Sequence, residues 1–237
     1  MSTILPPPIF IAIDKPPGIS SHAVVEAVRR ITHQKRVGHA GTLDPLARGV
    51  LVVGVGRAAT RQLEAIVEGV KEYITTIRLG LTSTTDDAEG TLTTRLVGVP
   101  PDRAAVEAVL PGFIGEIQQR PPAYSALKIG GRPAYKLARR GKAPPMRPRP
   151  VVIHALELLD YVWPDIQLRA VTGKGVYIRA LARDIGDKLG TGGYMADLER
   201  TRVGDYDLSK ALSLEQLSTF WPQIATEAGW DIRPSGR

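Results

Sequence analysis

The 237-residue chain has 43% hydrophobic and 23% charged residues, an ordinary balance for a globular protein, and 31 Lys and Arg against 24 Asp and Glu give it a net charge of +7. It contains no cysteine, which excludes disulfides, thiol catalysis and cysteine-based metal centres, and its four histidines include no pair at helical metal-binding spacing. Because it has neither an apolar run of roughly 20 residues nor a signal-like N-terminus, we expect a cytoplasmic protein that does not span a membrane.

The first quarter of the chain alternates short apolar runs with turns. A strand is predicted over Ile9–Ile13, followed by a helix that begins at Ser20 or Ser21 and carries an apolar stripe. After a glycine-rich loop, Val50–Val55 predicts a buried strand and Ala58–Val67 predicts a helix.

The rest of the chain mixes strands and helices without regular alternation, which favours an α+β fold with a mixed sheet. Lys71–Leu81 alternates so that Tyr73 and Thr75 share one face, and a polar loop follows over 82–90. Further elements are predicted at Asp102–Leu110 (helix), Val152–Leu159 and Ile166–Val171 (strands) and Tyr177–Leu189 (helix).

The loop around Asp44 carries the strongest functional signal. The segment 37–51 reads Val-Gly-His-Ala-Gly-Thr-Leu-Asp-Pro-Leu-Ala-Arg-Gly-Val-Leu and has neither helical nor strand periodicity before Val50. Glycines permit unusual backbone geometry there, and Pro45 fixes its own φ beside the carboxylate, with His39 five residues upstream. We interpret the segment as a shaped loop that presents Asp44.

The stretch from Ile117 to Leu156 is basic, contains no Asp or Glu, and is interrupted by seven prolines and the pair Gly130-Gly131. Tyr124 and Tyr135 are interleaved with its charges. Cations in such a segment can line up along phosphates, so it predicts an insertion that contacts RNA or DNA with salt-sensitive affinity. Its nine cations are Arg120, Lys128, Arg132, Lys136, Arg139, Arg140, Lys142, Arg147 and Arg149.

Several separated segments together resemble the bacterial tRNA pseudouridine(55) synthase family (TruB type). They are Asp-Lys-Pro-Pro-Gly-Ile-Ser-Ser at 14–21, the loop at 38–51, Lys-Glu-Tyr at 71–73 with Arg-Leu-Gly at 78–80, Pro-Ala-Tyr-Ser-Ala-Leu-Lys at 122–128, and Gly-Val-Tyr-Ile-Arg at 175–179. The resemblance extends over roughly residues 9 to 217 in the family's order. It implies the pseudouridine synthase fold, in which helices flank a mixed, largely antiparallel central sheet.

The resemblance implies isomerisation of uridine to pseudouridine in the T-loop of tRNA, with no cofactor or metal. Breaking the glycosidic bond builds positive charge at C1′, which the Asp44 carboxylate can trap; alternatively Asp44 can remove a proton from C2′. The sequence leaves both routes open. By the same resemblance, Arg179 is the cationic partner of Asp44.

Other site residues also follow from the resemblance. Tyr73 matches the active-site tyrosine that stacks on the uracil and helps to remove the C5 proton, and Tyr177 and Leu198 match positions that contact the base. The uridine must be flipped out of the RNA stack, and His39 matches the residue that fills the space it leaves. Lys15 is expected to support the loop or a phosphate, and Lys128, Arg139 and Arg140 to grip RNA from the basic insertion.

Two features depart from the family pattern. Arg48 replaces a small hydroxyl residue, which predicts either an added phosphate contact or an exposed side chain. Relatives usually continue into a small PUA-type RNA-binding domain, whereas here we expect a catalytic domain over 1–217, including a basic insertion at about 119–150, followed by a short tail over 218–237. That domain is therefore expected to be absent.

Two other functions remain open besides a stand-alone monomeric enzyme that acts on the tRNA T-arm without a protein partner. One is a guide-RNA-dependent enzyme of the dyskerin type, which shares the Gly-His-x-Gly-Thr-Leu-Asp-Pro core. The other is a non-catalytic RNA-binding or RNA-folding module. Pseudouridine formation without guide RNA separates the first from both alternatives.

Overall fold

A computed structural model describes residues 7–125, 127–138 and 145–230. It divides into two compact units, which we call the first unit (Met1–Lys71 and Glu199–Arg237) and the second unit (Glu72–Leu198). Within the described residues, no helix is long and apolar enough to cross a membrane.

Helices and strands are interspersed along the chain, as expected for an α+β protein. The strands are β1 (Ile9–Lys15), β2 (Val37–Ala40), β3 (Arg48–Val55), β4 (Lys71–Leu79), β5 (Leu81–Ser83), β6 (Leu92–Thr94), β7 (Gly115–Gln119), β8 (Lys128–Ile129), β9 (Arg132–Pro133), β10 (Arg149–Val162), β11 (Asp165–Thr172), β12 (Gly193–Val203) and β13 (Tyr206–Asp207). The helices are α1 (Ser21–Thr32), α2 (Gly56–Thr60), α3 (Leu63–Glu68), α4 (Arg103–Val109), α5 (Ala134–Ala138), α6 (Ile178–Lys188) and α7 (Leu214–Glu227).

In the first unit, the buried strand β3 lies between β1 and β2 and pairs antiparallel with both. The last part of β12 runs parallel to the start of β3, where Glu199 and Arg200 pair with Arg48 and Gly49. Ser20 is the N-cap of α1, since its side chain accepts a hydrogen bond from the backbone N–H of Ala23. The core of this unit therefore surrounds the strand that follows the Asp44 loop.

In the second unit, the strand order is β12-β4-β11-β10-β7. β10 pairs antiparallel with β11 on one side and with β7 on the other. The predicted alternation of β4 is confirmed, because Tyr73, Thr75, Ile77 and Leu79 are all buried. Helix α6 begins after Tyr177 and buries Ile178, Leu181 and Ile185, in agreement with the helix predicted over Tyr177–Leu189.

Several local predictions were wrong. The single helix expected over Ala58–Val67 is two short helices, α2 and α3. The segment before Asp44 is not all loop, because β2 pairs with β3. Strand β12 was missed because charged residues interrupt its apolar alternation.

Helix α7 spans the position at which the sequence suggested a tail. It begins at a capping box formed by Ser213 and Gln216 and buries Leu217, Trp221 and Ala225. The indole of Trp221 also contacts Trp230 edge to face, with ring centroids 6.0 Å apart. The described residues after 217 thus contribute to the packing of the first unit.

Candidate active site

The buried side chain of Lys15 supports the loop that carries Asp44. This lysine ends β1 and is fully buried. Its ammonium donates hydrogen bonds to the backbone carbonyls of Ala47 (2.5 Å), Pro16 (2.9 Å) and Pro45 (3.2 Å). These hydrogen bonds hold the ammonium against the residues that flank Asp44, and they offset the cost of burying its positive charge. Of the two roles expected for Lys15, the geometry favours support of the loop.

The other side of the loop is fixed by Ser21, the first residue of α1. Its buried hydroxyl donates to the carbonyl of Leu43 and accepts from the N–H of Leu43, both at 2.8 Å. The backbone N–H of Gly18 also donates to the carbonyl of Pro45 at 2.8 Å. The residues on both sides of Asp44 are therefore pinned to β1 and α1, while Asp44 itself is only half-buried.

Arg200 connects the two ends of the same loop through hydrogen bonds to its backbone. Its guanidinium is almost fully buried and donates to the carbonyls of Val50 (2.8 Å) and Gly41 (3.1 Å). Gly49 lies directly against the backbone of Arg200, where a Cβ would come within 2.4 Å of the carbonyl oxygen, and its φ of +97° also favours glycine. This close approach explains the glycine that follows Arg48.

His39 lies on β2, upstream of the loop and in the same unit. Burial, together with the positive charge of Arg200 and of His22, lowers the pKa of its imidazole below the ordinary value of 6.5. The ring is therefore uncharged near pH 7. A neutral, partly exposed imidazole is suited to stacking on nucleobases.

In the second unit, Arg179 forms a buried ion pair with Asp87. The two side chains are 6% and 3% exposed, and the terminal nitrogen and carboxylate oxygen are 3.2 Å apart. The guanidinium also donates to the carbonyls of Thr85 (3.2 Å) and Tyr124 (3.0 Å). Asp87 accepts further hydrogen bonds from the hydroxyl of Thr85 and the N–H of Glu89. Arg179 is thereby fixed in one orientation.

Arg183, one helical turn after Arg179, repeats this arrangement. It pairs with Asp86 at 2.7 Å and donates to the carbonyl of Arg120 at 2.8 Å. Burial raises the pKa of Asp86, while the charges of Arg183 and Arg179 oppose that rise. Two arginines on one face of α6 thus bind two consecutive aspartates and two carbonyls near the start of the basic insertion.

Three other predicted site residues belong to the second unit: Tyr73, Tyr177 and Leu198. Tyr73 is 7% exposed on β4, and Leu198 is 5% exposed on β12. Tyr177 immediately precedes α6, and its backbone exchanges hydrogen bonds with the buried amide of Gln119 at 2.9 and 3.2 Å. The Arg149 guanidinium lies 5.3 Å from the centre of the Tyr177 ring.

Part of the basic insertion can be compared with its prediction. Lys128 begins β8, which pairs with β9 in a short hairpin, and α5 follows. Arg139 and Arg140 lie outside the described residues. The ends of the acid-free stretch belong to β7 and β10, so only the part between them leaves the main sheet.

Arg48, for which either a phosphate contact or an exposed side chain is expected, is bound by Glu199 at 3.0 Å. The structure also identifies two residues that the sequence did not indicate, Arg200 and Asp87. Nothing in the sequence distinguishes a buried arginine or aspartate from an exposed one. No group of three or more metal-ligating side chains occurs among the residues that the structure describes.

Two family models match nearly the whole described chain. Residues 29–178 match the TruB family pseudouridylate synthase N-terminal domain, and residues 179–229 match the tRNA pseudouridylate synthase B C-terminal domain. Curated relatives agree with these matches. The chain is 47% identical over 219 residues to the tRNA pseudouridine synthase B of Mycobacterium tuberculosis, covering 89% of this chain and 72% of that protein. The relative of the same name from Pseudomonas fluorescens is 46% identical over 220 residues, which cover 92% of this chain and 71% of that protein.

Chains in solved structures of protein and RNA–protein complexes are also similar to this chain. A crystal structure of a Cbf5-Nop10-Gar1 complex contains a chain with a TM-score of 0.71 and 30% identity, covering 94% of this chain. This chain spans 56% of the length of that one. A structure of an H/ACA RNP bound to a substrate RNA with 2′-deoxyuridine contains a similar chain, with a TM-score of 0.67, 29% identity and coverage of 94% of this chain and 56% of that one.

Proposed function

The chain belongs to the TruB family of pseudouridylate synthases, and we propose that it isomerises uridine to pseudouridine at position 55 in the T-loop of tRNA. The observation that carries the proposal is the Asp44 loop, which buried Lys15, Ser21 and Arg200 hold at both ends. A carboxylate that is fixed before substrate arrives is what a reaction with developing charge at C1′ requires. Curated relatives named tRNA pseudouridine synthase B support tRNA as the substrate.

In this proposal Asp44 acts on the ribose of the flipped uridine, either by attacking C1′ or by removing a proton from C2′. Tyr73 stacks on the uracil and assists removal of the C5 proton, and Tyr177 and Leu198 contact the base. Arg179, which Asp87 orients, is the cationic partner that the proposal assigns to Asp44. The bond that breaks joins N1 to C1′ and the bond that forms joins C5 to C1′. The proton lost from C5 is balanced by one taken up at N1, so that the product is an isomer of the substrate.

Recognition of the RNA is assigned to groups outside the reaction itself. His39 fills the position that the flipped base leaves, and its lowered pKa keeps the ring neutral for stacking. Lys128, Arg139 and Arg140 of the basic insertion grip the T-arm. Flipping costs a few kcal/mol, which these contacts must supply.

The proposal also covers the organisation of the protein. The catalytic domain comprises residues 1–217 with the insertion at about 119–150, and the rest of α7 up to Glu227 packs with it rather than forming a separate tail. The protein acts in the cytoplasm as a monomer without a protein partner or cofactor. Support comes from the sequence, which has no coiled-coil heptads and no convincing cofactor motif. Light scattering on the active protein checks the oligomeric state.

The test is to incubate the pure protein with an unmodified tRNA transcript and to map pseudouridine by position. We expect conversion at position 55 without guide RNA. Absence of product under conditions in which the protein binds the transcript would contradict the proposal.

The second candidate is a guide-dependent synthase, which the likeness to Cbf5 chains favours. The same assay separates the two, because a guide-dependent enzyme modifies the transcript only when a guide RNA and its protein partners are added.

A further inference from the structure

The first unit contains an open cavity of about 430 Å³ beside His39. Its walls are formed by α1, the turn that follows it, β2, and the adjoining α2 and α3. The side chains that can bind a ligand through polar groups are those of His22, Arg29, Lys35, Arg36, His39 and Thr60.

The charge on the walls of this cavity is positive, and no Asp or Glu lines it. Lys35 and Arg36 are exposed, and neither forms an ion pair within the described part of the chain. Arg29 is partly neutralised by Glu26 and donates a second hydrogen bond to the carbonyl of Val37 at 3.0 Å. The cavity therefore has two uncompensated cations at its mouth and a third that is fixed in its wall.

The backbone that carries these cations is rigidly placed. The carbonyl of Arg36 accepts a hydrogen bond from the N–H of Gly56 at 2.7 Å, and the next carbonyl accepts from Arg29. Val37 then begins β2, which is paired along its whole length with β3. Lys35 and Arg36 consequently extend from a fixed point, which lowers the entropy lost when they bind a ligand.

Exposed cations and an open cavity without a carboxylate in its walls together fit an oxyanion.

We propose that this cavity binds one backbone phosphate of the RNA, next to the nucleotide that is flipped out, with Lys35 and Arg36 as its main ligands. The proposal rests on the proposed function, since His39, which lies on the cavity wall, is there assigned to the RNA loop. A phosphodiester presents two charged oxygens, which an ammonium and a guanidinium can bind at the same time. A free small anion is the alternative that the experiment must separate.

The experiment measures binding of a T-arm RNA hairpin to Asp44→Asn protein, so that turnover does not affect the affinity. We expect Lys35→Ala/Arg36→Ala in this background to weaken binding about tenfold at roughly 50 mM salt and to reduce the slope of log K against log salt by about 0.7 to 0.9, the value for one lost phosphate contact. The control, Arg103→Ala/Lys188→Ala, removes two exposed cations of the second unit and should leave the slope nearly unchanged. Equal slopes for the test and control variants would overturn the proposal.

A second arm identifies the ligand. One phosphate of the hairpin at a time is replaced by an uncharged methylphosphonate. One replacement should weaken binding to the protein with intact Lys35 and Arg36 but have no further effect on the double variant. If no position shows this coupling while inorganic phosphate still binds in a way that depends on Lys35 and Arg36, the cavity is a small-anion site and the proposal fails.

These results are independent of catalysis. Pseudouridine formation by the unmodified protein is scored separately on the same hairpin. If the protein makes no pseudouridine but the slope and the coupling are as expected, the proposed activity fails and the phosphate site stands. If it makes pseudouridine but the slopes are equal, only the phosphate site fails.

Discussion

The Asp44 loop in the first unit and the Arg179 cluster in the second unit both contain buried positive charge, but they neutralise it differently. Lys15 and Arg200 donate to the backbone carbonyls of Pro45, Ala47, Gly41 and Val50. Arg179 instead forms an ion pair with the buried carboxylate of Asp87. Carbonyl dipoles fix the shape of a loop, whereas a carboxylate fixes the orientation of a guanidinium and supplies a full compensating charge. The loss of an anchoring group should therefore cost more in the second region than in the first.

The largest expected effect is on activity, at the residue that the first region presents. Asp44→Asn keeps the size of the side chain but removes the charge that we propose acts on the ribose. We expect turnover to fall by at least about 10³-fold while tRNA affinity stays within a few-fold. Single-turnover kinetics with a radiolabelled transcript measures both, and substantial residual activity would show that another residue carries the chemistry.

The next largest effect is on stability and follows from removing the carboxylate of Asp87, the partner of Arg179. Asp87→Asn leaves the buried guanidinium of Arg179 without its charged partner, and we expect the free energy of unfolding to fall by about 3 to 5 kcal/mol. Asp165→Asn is the matched control, because Asp165 pairs with Arg78 at 2.7 Å but both side chains are more than a third exposed. That control should cost less than about 1 kcal/mol. Urea denaturation measures both, and equal costs would mean that the Arg179 pair contributes no more than a surface pair.

The corresponding change in the first region is Lys15→Met, which preserves most of the volume of the side chain. It removes three hydrogen bonds to carbonyls together with the ammonium charge that they stabilise, so we expect a loss of only about 2 kcal/mol in the free energy of unfolding. Turnover should fall as well, because the residues next to Asp44 lose their support. Lys210→Met, at a site 78% exposed, is the control and should change stability by less than about 0.5 kcal/mol. A cost for Lys15→Met larger than that of Asp87→Asn would reverse the comparison.

The smallest effect concerns pH. The pKa of His39 is lowered in the folded protein, so the unfolded chain takes up this proton first as the solution becomes acidic. The contribution of His39 to stability is therefore complete above the unfolded pKa of about 6.5 and declines as the pH falls below it. Thermal unfolding between about pH 5 and 8 should show a shallower decline for His39→Gln than for the unmodified protein. If the His39 variant retains the profile of the unmodified protein, the burial of this imidazole is not linked to protonation.

Much of the site could be predicted because it depends on local sequence. The alternation of β4 placed Tyr73 and Thr75 on one face, and the helix predicted over Tyr177–Leu189 placed Arg179 in its first turn. The glycines and proline around Asp44 indicated a shaped loop without any knowledge of its surroundings. The acid-free composition likewise marked the insertion between β7 and β10.

Other features could not be predicted because they depend on partners distant in the chain. Ser21 was considered only as a helix cap, yet it bonds to Leu43, whereas Ser20 caps the helix. Asp87 was assigned to a polar loop, although it is 2% exposed and binds Arg179, 92 positions later by their numbers. Local periodicity also did not indicate the break between α2 and α3 or the continuation of α7 through residue 218.

The sequence by itself determined which residue types are available for chemistry and on which face of each local element they lie, because backbone preferences and apolar periodicity act over a few neighbouring residues. Only the tertiary structure decided which cations are buried and what neutralises them. The free energy of a buried charge depends on the dipoles and carboxylates that surround it in space, and folding brings those groups together from distant parts of the chain.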